Sequence, residues 1–408
     1  MHILAIYQHY WPDTAPYGTM LRCILGRLAA DGHDVTVVTA QPNYAGTGDV
    51  RAAPPTELLD GVAVRRIALP WRARRGTLAR LTKILVFQAR ACALVLAAPK
   101  PDVVWVNTTP PVVQGLMGQL LARLRGGALL YHCQDIHPEL LVHAGYLRNR
   151  FLIHALRRLD QYTCRRADTV VTLSCDMART LAKRSDRRGP PGNLSVINNF
   201  WLQGFMPDAD VPADLREKSD RFRFLFAGNL GHFQNLELVV DAFARLAKRR
   251  HDVELVFVGS GAAERKLQAR AGALLGDRIR FLGRHSPEAT LAAMDRADMG
   301  IVSLAPGIYR CAYPSKTSSY LSRGLPVLVV VEEESALAEE IRAQRVGAIP
   351  DALDAAGLSA TMDASAAGAL ALKSRSEIKS YATSHFAPER VLEHWSDLVH
   401  NFDRATAR

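Results

Sequence analysis

The chain has six cysteines in 408 residues, at 23, 92, 133, 164, 175 and 311, and no two of them form a CxxC pair. That scatter argues against a disulfide framework and a structural zinc site, and fits a reducing compartment. No apolar run reaches the ~20 residues needed to span a bilayer. The longest, ILVFQARACALVLAAP at 84–99, carries Gln88 and Arg90 near its middle and reads as a buried helix. Residues 1–20 lack a basic start followed by an apolar stretch, so no secretory signal is expected. GxxxxGK(S/T), a complete GxGxxG and GxSxG are all missing. Their absence removes the P-loop, a nicotinamide cofactor and the nucleophile elbow from consideration. No His/Cys set has metal-ligand spacing, so neither a metal nor another cofactor is expected. The acid pair Asp208 and Asp210 falls in a polar connector and reads as a solvated loop.

Acid is also scarce relative to base, and the net charge is +11. The excess gathers in WRARRGTLARLTK (71–83) and in the basic residues of 165–188. Nucleic acid, an anionic membrane and anionic substrates are the three partners such a charge suits. No recognition motif supports specific nucleic-acid binding. Tryptophan beside four arginines and a lysine, ahead of an apolar helix, suits peripheral contact of 71–99 with anionic lipid. The alternative is a solvated basic surface.

Buried apolar strands alternate with amphipathic helices along the whole chain, the signature of an α/β fold with parallel sheets. HILAIY, a glycine-containing loop at 12–18, a helix ending at Gly32 and DVTVVTA form the first strand–helix–strand unit. DVVWVN, ALLYHCQD, TVVTLS and SVINNF continue the sheet to residue 200. A polar connector at 201–220 follows. The pattern then restarts with FRFLFAGNLG and runs through VELVFVGSG, RIRFLGR, MGIVSL and PVLVVV. The expected organisation is therefore one Rossmann-like domain over 1–200 and a second over 221–385, doubly wound and facing each other across a cleft. A terminal helix in 386–408 crosses back to the first domain. Ligands of such sheets bind at strand C-termini.

Three places carry candidate chemistry. Two glycine turns, AGNLGHFQN (227–235) and VGSGAAERK (258–266), join strand to helix and suit either close approach to a phosphate or tight packing. CQDIHPE places Asp135, His137 and Glu139 after a buried strand. Asp135 there suits proton or hydroxyl handling, or an N-cap. YRCAYPSKTSSYLSRGLPVLV (309–329) contains no carboxylate, yet starts a helix with Lys316. A cation is the wrong charge for a helix N-terminus. With Ser315 as N-cap and Pro314 before it, a bound anion explains Lys316; a lysine snorkelling to solvent is the alternative.

GHDVTVVTAQPNY, QDIHPE, FAGNLG…QNLELVVDA, VGSG and PSK…Y…GLPVLV occur in that order over nearly the whole chain. This resembles the retaining glycosyltransferases of family 4, with the GT-B fold, and within them the aminosugar transferases of capsule and O-antigen assembly. The resemblance implies transfer of a sugar, an N-acetylated aminosugar in that branch, from a UDP-linked donor with retention and without metal. It places Gly228, Asn229, Gly259, Gly261, Arg284, Arg310, Pro314, Ser315, Lys316 and Ser319 on the donor. Gly18, in the first strand–helix loop, approaches the diphosphate. Asp135 joins Lys316 as a catalytic group, and Tyr17, His137 and Glu139 face the acceptor. That acceptor is a polyprenyl-linked sugar or a small molecule, and the implied location is cytoplasmic, on the inner face of the membrane.

Two departures stand out. The family's two glutamates fall on Cys311 and Ser319, and the usual arginine and lysine of the first donor turn are replaced by Asn229 and Gln234. Those losses leave other readings open: an unusual donor, a catalytically inactive partner of the same fold, glycosylation of a soluble metabolite, or an epimerase built on QDIHPE.

Overall fold

The computed structural model describes residues 1–13, 16–42, 52–69, 77–184, 193–202 and 219–406. Residues 71–76, most of the 201–220 connector and the Asp208–Asp210 pair lie outside the described residues. The chain forms two compact units: residues 1–198 with 389–408, and residues 199–388.

The first unit runs β1 (His2–Ile6), α1 (Pro16–Ala30), β2 (Asp34–Ala40), β3 (Thr56–Leu59), β4 (Val62–Ile67), α2 (Thr77–Ala97) and β5 (Val103–Asn107). It continues through α3 (Val113–Arg125), β6 (Ala128–Cys133), α4 (Glu139–His143), α5 (Arg150–Arg166), β7 (Thr169–Thr172), α6 (Cys175–Lys183) and β8 (Leu194–Val196). The eight strands lie in the order β3-β4-β2-β1-β5-β6-β7-β8, all parallel except β3. Every residue of β5 and β7 is buried, as expected of strands covered on both faces.

The second unit comprises β9 (Phe222–Ala227), α7 (Leu236–Ala247), β10 (Val253–Val258), α8 (Glu264–Ala271), β11 (Ile279–Phe281), α9 (Pro287–Arg296), β12 (Met299–Ser303) and α10 (Lys316–Ser322). After these come β13 (Val327–Val330), α11 (Ala336–Gln344), β14 (Gly347–Ala348), α12 (Ala355–Ala366) and α13 (Arg375–Phe386). Its six parallel strands lie in the order β11-β10-β9-β12-β13-β14. Phe224, Phe226, Phe243 and Phe257 fill the core between the sheet and α7. The last helix, α14 (Pro388–Thr406), belongs from Glu389 onward to the first unit. There Trp395 stacks on Trp105 at 4.8 Å between ring centroids, and the Ser396 hydroxyl donates to Asp31.

Several sequence expectations need correction. The β3–β4 hairpin was not foreseen, although Asp60 and Gly61 (φ 52° and 79°) form the two-residue turn that Asp-Gly favours. The loop placed at 12–18 is shorter, because α1 begins at Pro16 and takes Gly18 into its first turn. SVINNF is strand only as far as Val196, and ALLYHCQD stops at Cys133, which leaves Gln134 and Asp135 in the following turn. The 84–99 helix is not buried all round. Phe87, Ala91 and Val95 face inward, while Leu85 and Leu96 are exposed.

One contact fixes α10 on the central strand of its sheet. The Tyr320 hydroxyl accepts a 2.7 Å hydrogen bond from the Ala227 amide at the end of β9. Its ring lies so close to β12 that a Cβ on Gly300 would come within 2.7 Å of it. Tyr320→Phe orphans a buried amide and should destabilise the second unit by roughly 1–3 kcal/mol. Gly300→Ala should cost a similar ~1–3 kcal/mol by overpacking. Urea unfolding followed by a probe in residues 199–388 checks both; an unchanged midpoint for either variant would contradict the contact.

Candidate functional site

The chemistry-bearing residues of each unit lie at or just beyond the C-terminal ends of its parallel strands. In the second unit, β9 and β10 are followed at once by Gly228 and Gly259, with φ of 139° and 137°. A Cβ on Gly259 would sit 1.9 Å from the Gly228 carbonyl oxygen, and one on Gly261 2.4 Å from that of Leu230. Glycine at 259 and 261 is therefore required by the packing of one turn on the next. Asn229, on the first of these turns, and Arg284, just past β11, are exposed, with no hydrogen bond or ion pair to a described residue.

Lys316 is the first residue of α10, which has seven residues. Its ammonium lies 3.5 Å from the centroid of the Phe226 ring and 3.5 Å from where a Cβ on Gly228 would be. Part of the side chain is accessible, but Nζ is buried and has no hydrogen-bond partner among the described residues. Burial lowers its pKa from 10.5 to about 7. The snorkelling alternative fails, because the charge does not reach water.

The capping expectation also fails. Ser315 has helical dihedrals and its hydroxyl caps nothing; the Pro314 carbonyl accepts from the amide and hydroxyl of Thr317 instead. Ser319 is half-buried with its hydroxyl unpaired among the described residues, and Cys311 is buried. Arg310 donates to the Tyr309 hydroxyl at 2.9 Å and stands 3.6 Å from Glu334.

Sequence reasoning missed Glu332. It lies two residues past the end of β13, accepts a 2.5 Å hydrogen bond from the Gly307 amide through Oε1, and leaves Oε2 buried and unpartnered among the described residues. The signal was available: an acid just past a buried strand, the placement that singled out Asp135.

In the first unit, Asp135 caps no helix, since α4 starts at Glu139 after Pro138. Its carboxylate has no hydrogen bond or ion pair to a described residue, and burial raises its pKa to about 6. His137 is buried with Nδ1 unpartnered among the described residues, and burial lowers its pKa to about 4. The three polar groups of QDIHPE do not act together. Glu139 is held by Arg157 at 2.9 Å and by Arg184, which also grips buried Asp160. That network ties α4, α5 and α6 together, which gives Glu139 a structural task.

His132, at the end of β6, was not anticipated either. The hydroxyls of Tyr7 and Tyr17 lie 3.1 and 2.9 Å from its Nδ1. Burial lowers its pKa to about 3, so the ring is neutral, and its single Nδ1 site pairs with one tyrosine hydroxyl at a time. Trp395 packs 4.9 Å from it. A histidine inside the apolar run LLYHC was the available signal. Gly18 lies under the 10–13 loop, where its Cβ position is 3.4 Å from the Tyr10 backbone.

Comparison with known proteins agrees with this architecture. Residues 17–199 match the glycosyl transferase 4-like domain and residues 208–383 the glycosyl transferases group 1 domain. A protein named as the glycosyltransferase WbjE of Pseudomonas aeruginosa is 27% identical over 64% of this chain and 66% of its own length. WcaI of Escherichia coli K12, named as a colanic acid biosynthesis glycosyl transferase, is 26% identical over 83% of this chain and 85% of its own. Two solved structures share the fold. WaaG, described as a glycosyltransferase of lipopolysaccharide biosynthesis, has a TM-score of 0.65 at 16% identity, covering 96% of this chain and 98% of its own. Anabaena HepE, solved with UDP-glucose, has a TM-score of 0.64 at 17% identity, covering 98% of this chain and all of its own. The chain belongs to the family 4 glycosyltransferases and has the GT-B fold.

The two unpaired ionisable groups predict a stability signature. Lys316 has its folded pKa depressed, so its penalty is fully present below about pH 7 and is relieved as pH rises toward the ordinary 10.5. Lys316→Met should therefore stabilise the ligand-free protein at pH 6 by roughly 1–3 kcal/mol, with the gain shrinking above neutrality. Thermal melts from pH 6 to 10 check this; a gain independent of pH would show that the ammonium is not buried in solution.

Proposed function

We propose that this glycosyltransferase moves a sugar from a UDP-linked donor to a hydroxyl acceptor with retention and without a metal. The second unit takes the donor and the first takes the acceptor. The observation that carries the reading is the buried, unpaired Lys316 ammonium beside the glycine end of β9. An isolated buried charge costs several kcal/mol, and a diphosphate oxygen supplies the missing partner. WbjE and WcaI are named as glycosyltransferases, and HepE of the same fold was solved with UDP-glucose.

In this reaction the acceptor hydroxyl oxygen bonds to the anomeric carbon while the bond from that carbon to the diphosphate breaks. UDP departs, and the hydroxyl proton passes to a phosphate oxygen of the leaving group. Lys316 offsets the charge that develops there. Asp135, ionised above about pH 6, accepts a hydrogen bond from the acceptor hydroxyl and orients it. Tyr17 and His137 border the acceptor. Gly228, Asn229, Arg284, Pro314 and Ser319 border the nucleotide and sugar. An N-acetylated aminosugar is the donor group we favour, within polysaccharide or glycoconjugate assembly. A polyprenyl-linked or soluble acceptor meets the same chemistry.

Calorimetry with UDP and UDP-sugars tests the donor side. Binding is expected, with uptake of a proton above about pH 7 as Lys316 recharges, and Lys316→Ala should weaken it at least ~10-fold. Failure of UDP, UDP-sugars and other nucleotide sugars to bind at millimolar concentration would overturn the reading. A mass-spectrometric screen of donors in the presence of EDTA then measures turnover. Asp135→Asn should lower it ~100-fold or more while leaving UDP affinity unchanged.

A further inference from the structure

The first unit carries a surface that sugar transfer in solution leaves unexplained. Ten of the sixteen exposed large apolar side chains among the described residues lie on α2, α3 and α5. Their helices are neighbours. The steps β4 to β5, β5 to β6 and β6 to β7 all run in one direction across the sheet. Right-handed crossovers therefore put α2, α3 and α5 on the same face. α3 packs against both of the others.

Each helix turns an apolar stripe outward. On α2, Leu85 and Leu96 are exposed, and on α3, Val113, Leu120 and Leu124. On α5, Phe151 is 89% exposed, with Leu159 and Tyr162 following on the same side at helical spacing. Such faces ordinarily pack on a neighbour.

The charge on this segment is one-sided. Residues 77–166 hold twelve Lys or Arg and four Asp or Glu. Asp160 and Glu139 are bound by arginines, Asp102 accepts from the His2 amide, and Asp135 sits in the turn after β6. Arg123 is exposed beside Leu124, and Arg158 between Phe151 and Leu159. Arg166 lies over the Tyr162 ring at 5.7 Å. A second copy of the chain would set arginine against arginine. An anionic lipid surface meets both features, with acyl chains for the leucines and Phe151 and headgroup phosphates for the arginines. No helix among the described residues is long and apolar enough to cross a membrane, so the contact is a docking one.

We propose that the α2–α3–α5 face docks flat on an anionic bilayer. The surface is wider than the 71–99 segment expected from sequence, of which α2 is the described part. The proposal does not depend on the donor reading.

Co-sedimentation of the full chain with vesicles tests it. Binding is expected to phosphatidylcholine vesicles carrying phosphatidylglycerol, and not to phosphatidylcholine alone, with loss at high salt. Arg158→Glu with Arg166→Glu should reduce binding ~10-fold or more, as should Phe151→Ser with Leu159→Ser. Melting temperature and UDP affinity should stay unchanged in both, which separates docking from folding and from the donor site. Absence of binding to the anionic vesicles, variants that bind like the parent, or a stable dimer dissociated by these substitutions would each overturn the proposal.

Discussion

The Tyr320 side chain holds the second unit's chemistry in place. Its hydroxyl satisfies the Ala227 amide where β9 ends, and its ring occupies the space left by the missing Cβ of Gly300. With α10 pinned there, the Lys316 stem has little choice of direction. It runs over the Phe226 ring and delivers the ammonium beside Gly228. The ring face repays part of the lost hydration through its quadrupole, which is worth ~2 kcal/mol when desolvated. In the function we propose, a hydrogen-bonding anion supplies what the ring cannot.

The fold was legible where burial dictated composition. Strands covered on both faces read as unbroken apolar runs, and β1, β2, β5, β10 and β13 stood out for that reason. The edge of the first sheet was not legible in the same way. β3 alternates exposed and half-buried residues, and only the Asp60–Gly61 turn announces the hairpin. Helix α2 misled in the opposite sense. Its composition suggested burial on all sides, whereas the leucines of its outer stripe have no cover from the sheet.

Site residues divided along a similar line. Lys316 was visible because a lysine opening a helix conflicts with the local dipole, and a local conflict often marks a functional position. His132 was hidden within an apolar strand, where a single histidine ordinarily means a satisfied core residue. Glu332 was hidden by the way acids were sought, by position along the α10 stretch alone. Cys311 and Ser319 are the residues found there, and a carboxylate enters the second unit's strand ends from β13 instead. Chain spacing carries a motif only while its residues stay on one element.

Lys316 and Asp135 show why stability and chemistry pull apart in this protein. Lysine burial favours the neutral amine and carboxyl burial favours the neutral acid, which moves the two pKa values to about 7 and about 6. Between those values both groups are largely charged, and the ligand-free protein carries both desolvation penalties at once. Asp160 and Arg184 answer each other across a buried ion pair, as do Arg223 and Glu254. Those pairs show that the fold can neutralise charge internally. Lys316 and Asp135 have no such partners among the described residues, which in the function we propose leaves each open to a group that arrives from outside: a phosphate oxygen for the cation, and a hydroxyl for the carboxylate. Pairing either one internally would remove the penalty and, with it, the drive that the proposed function assigns to substrate binding.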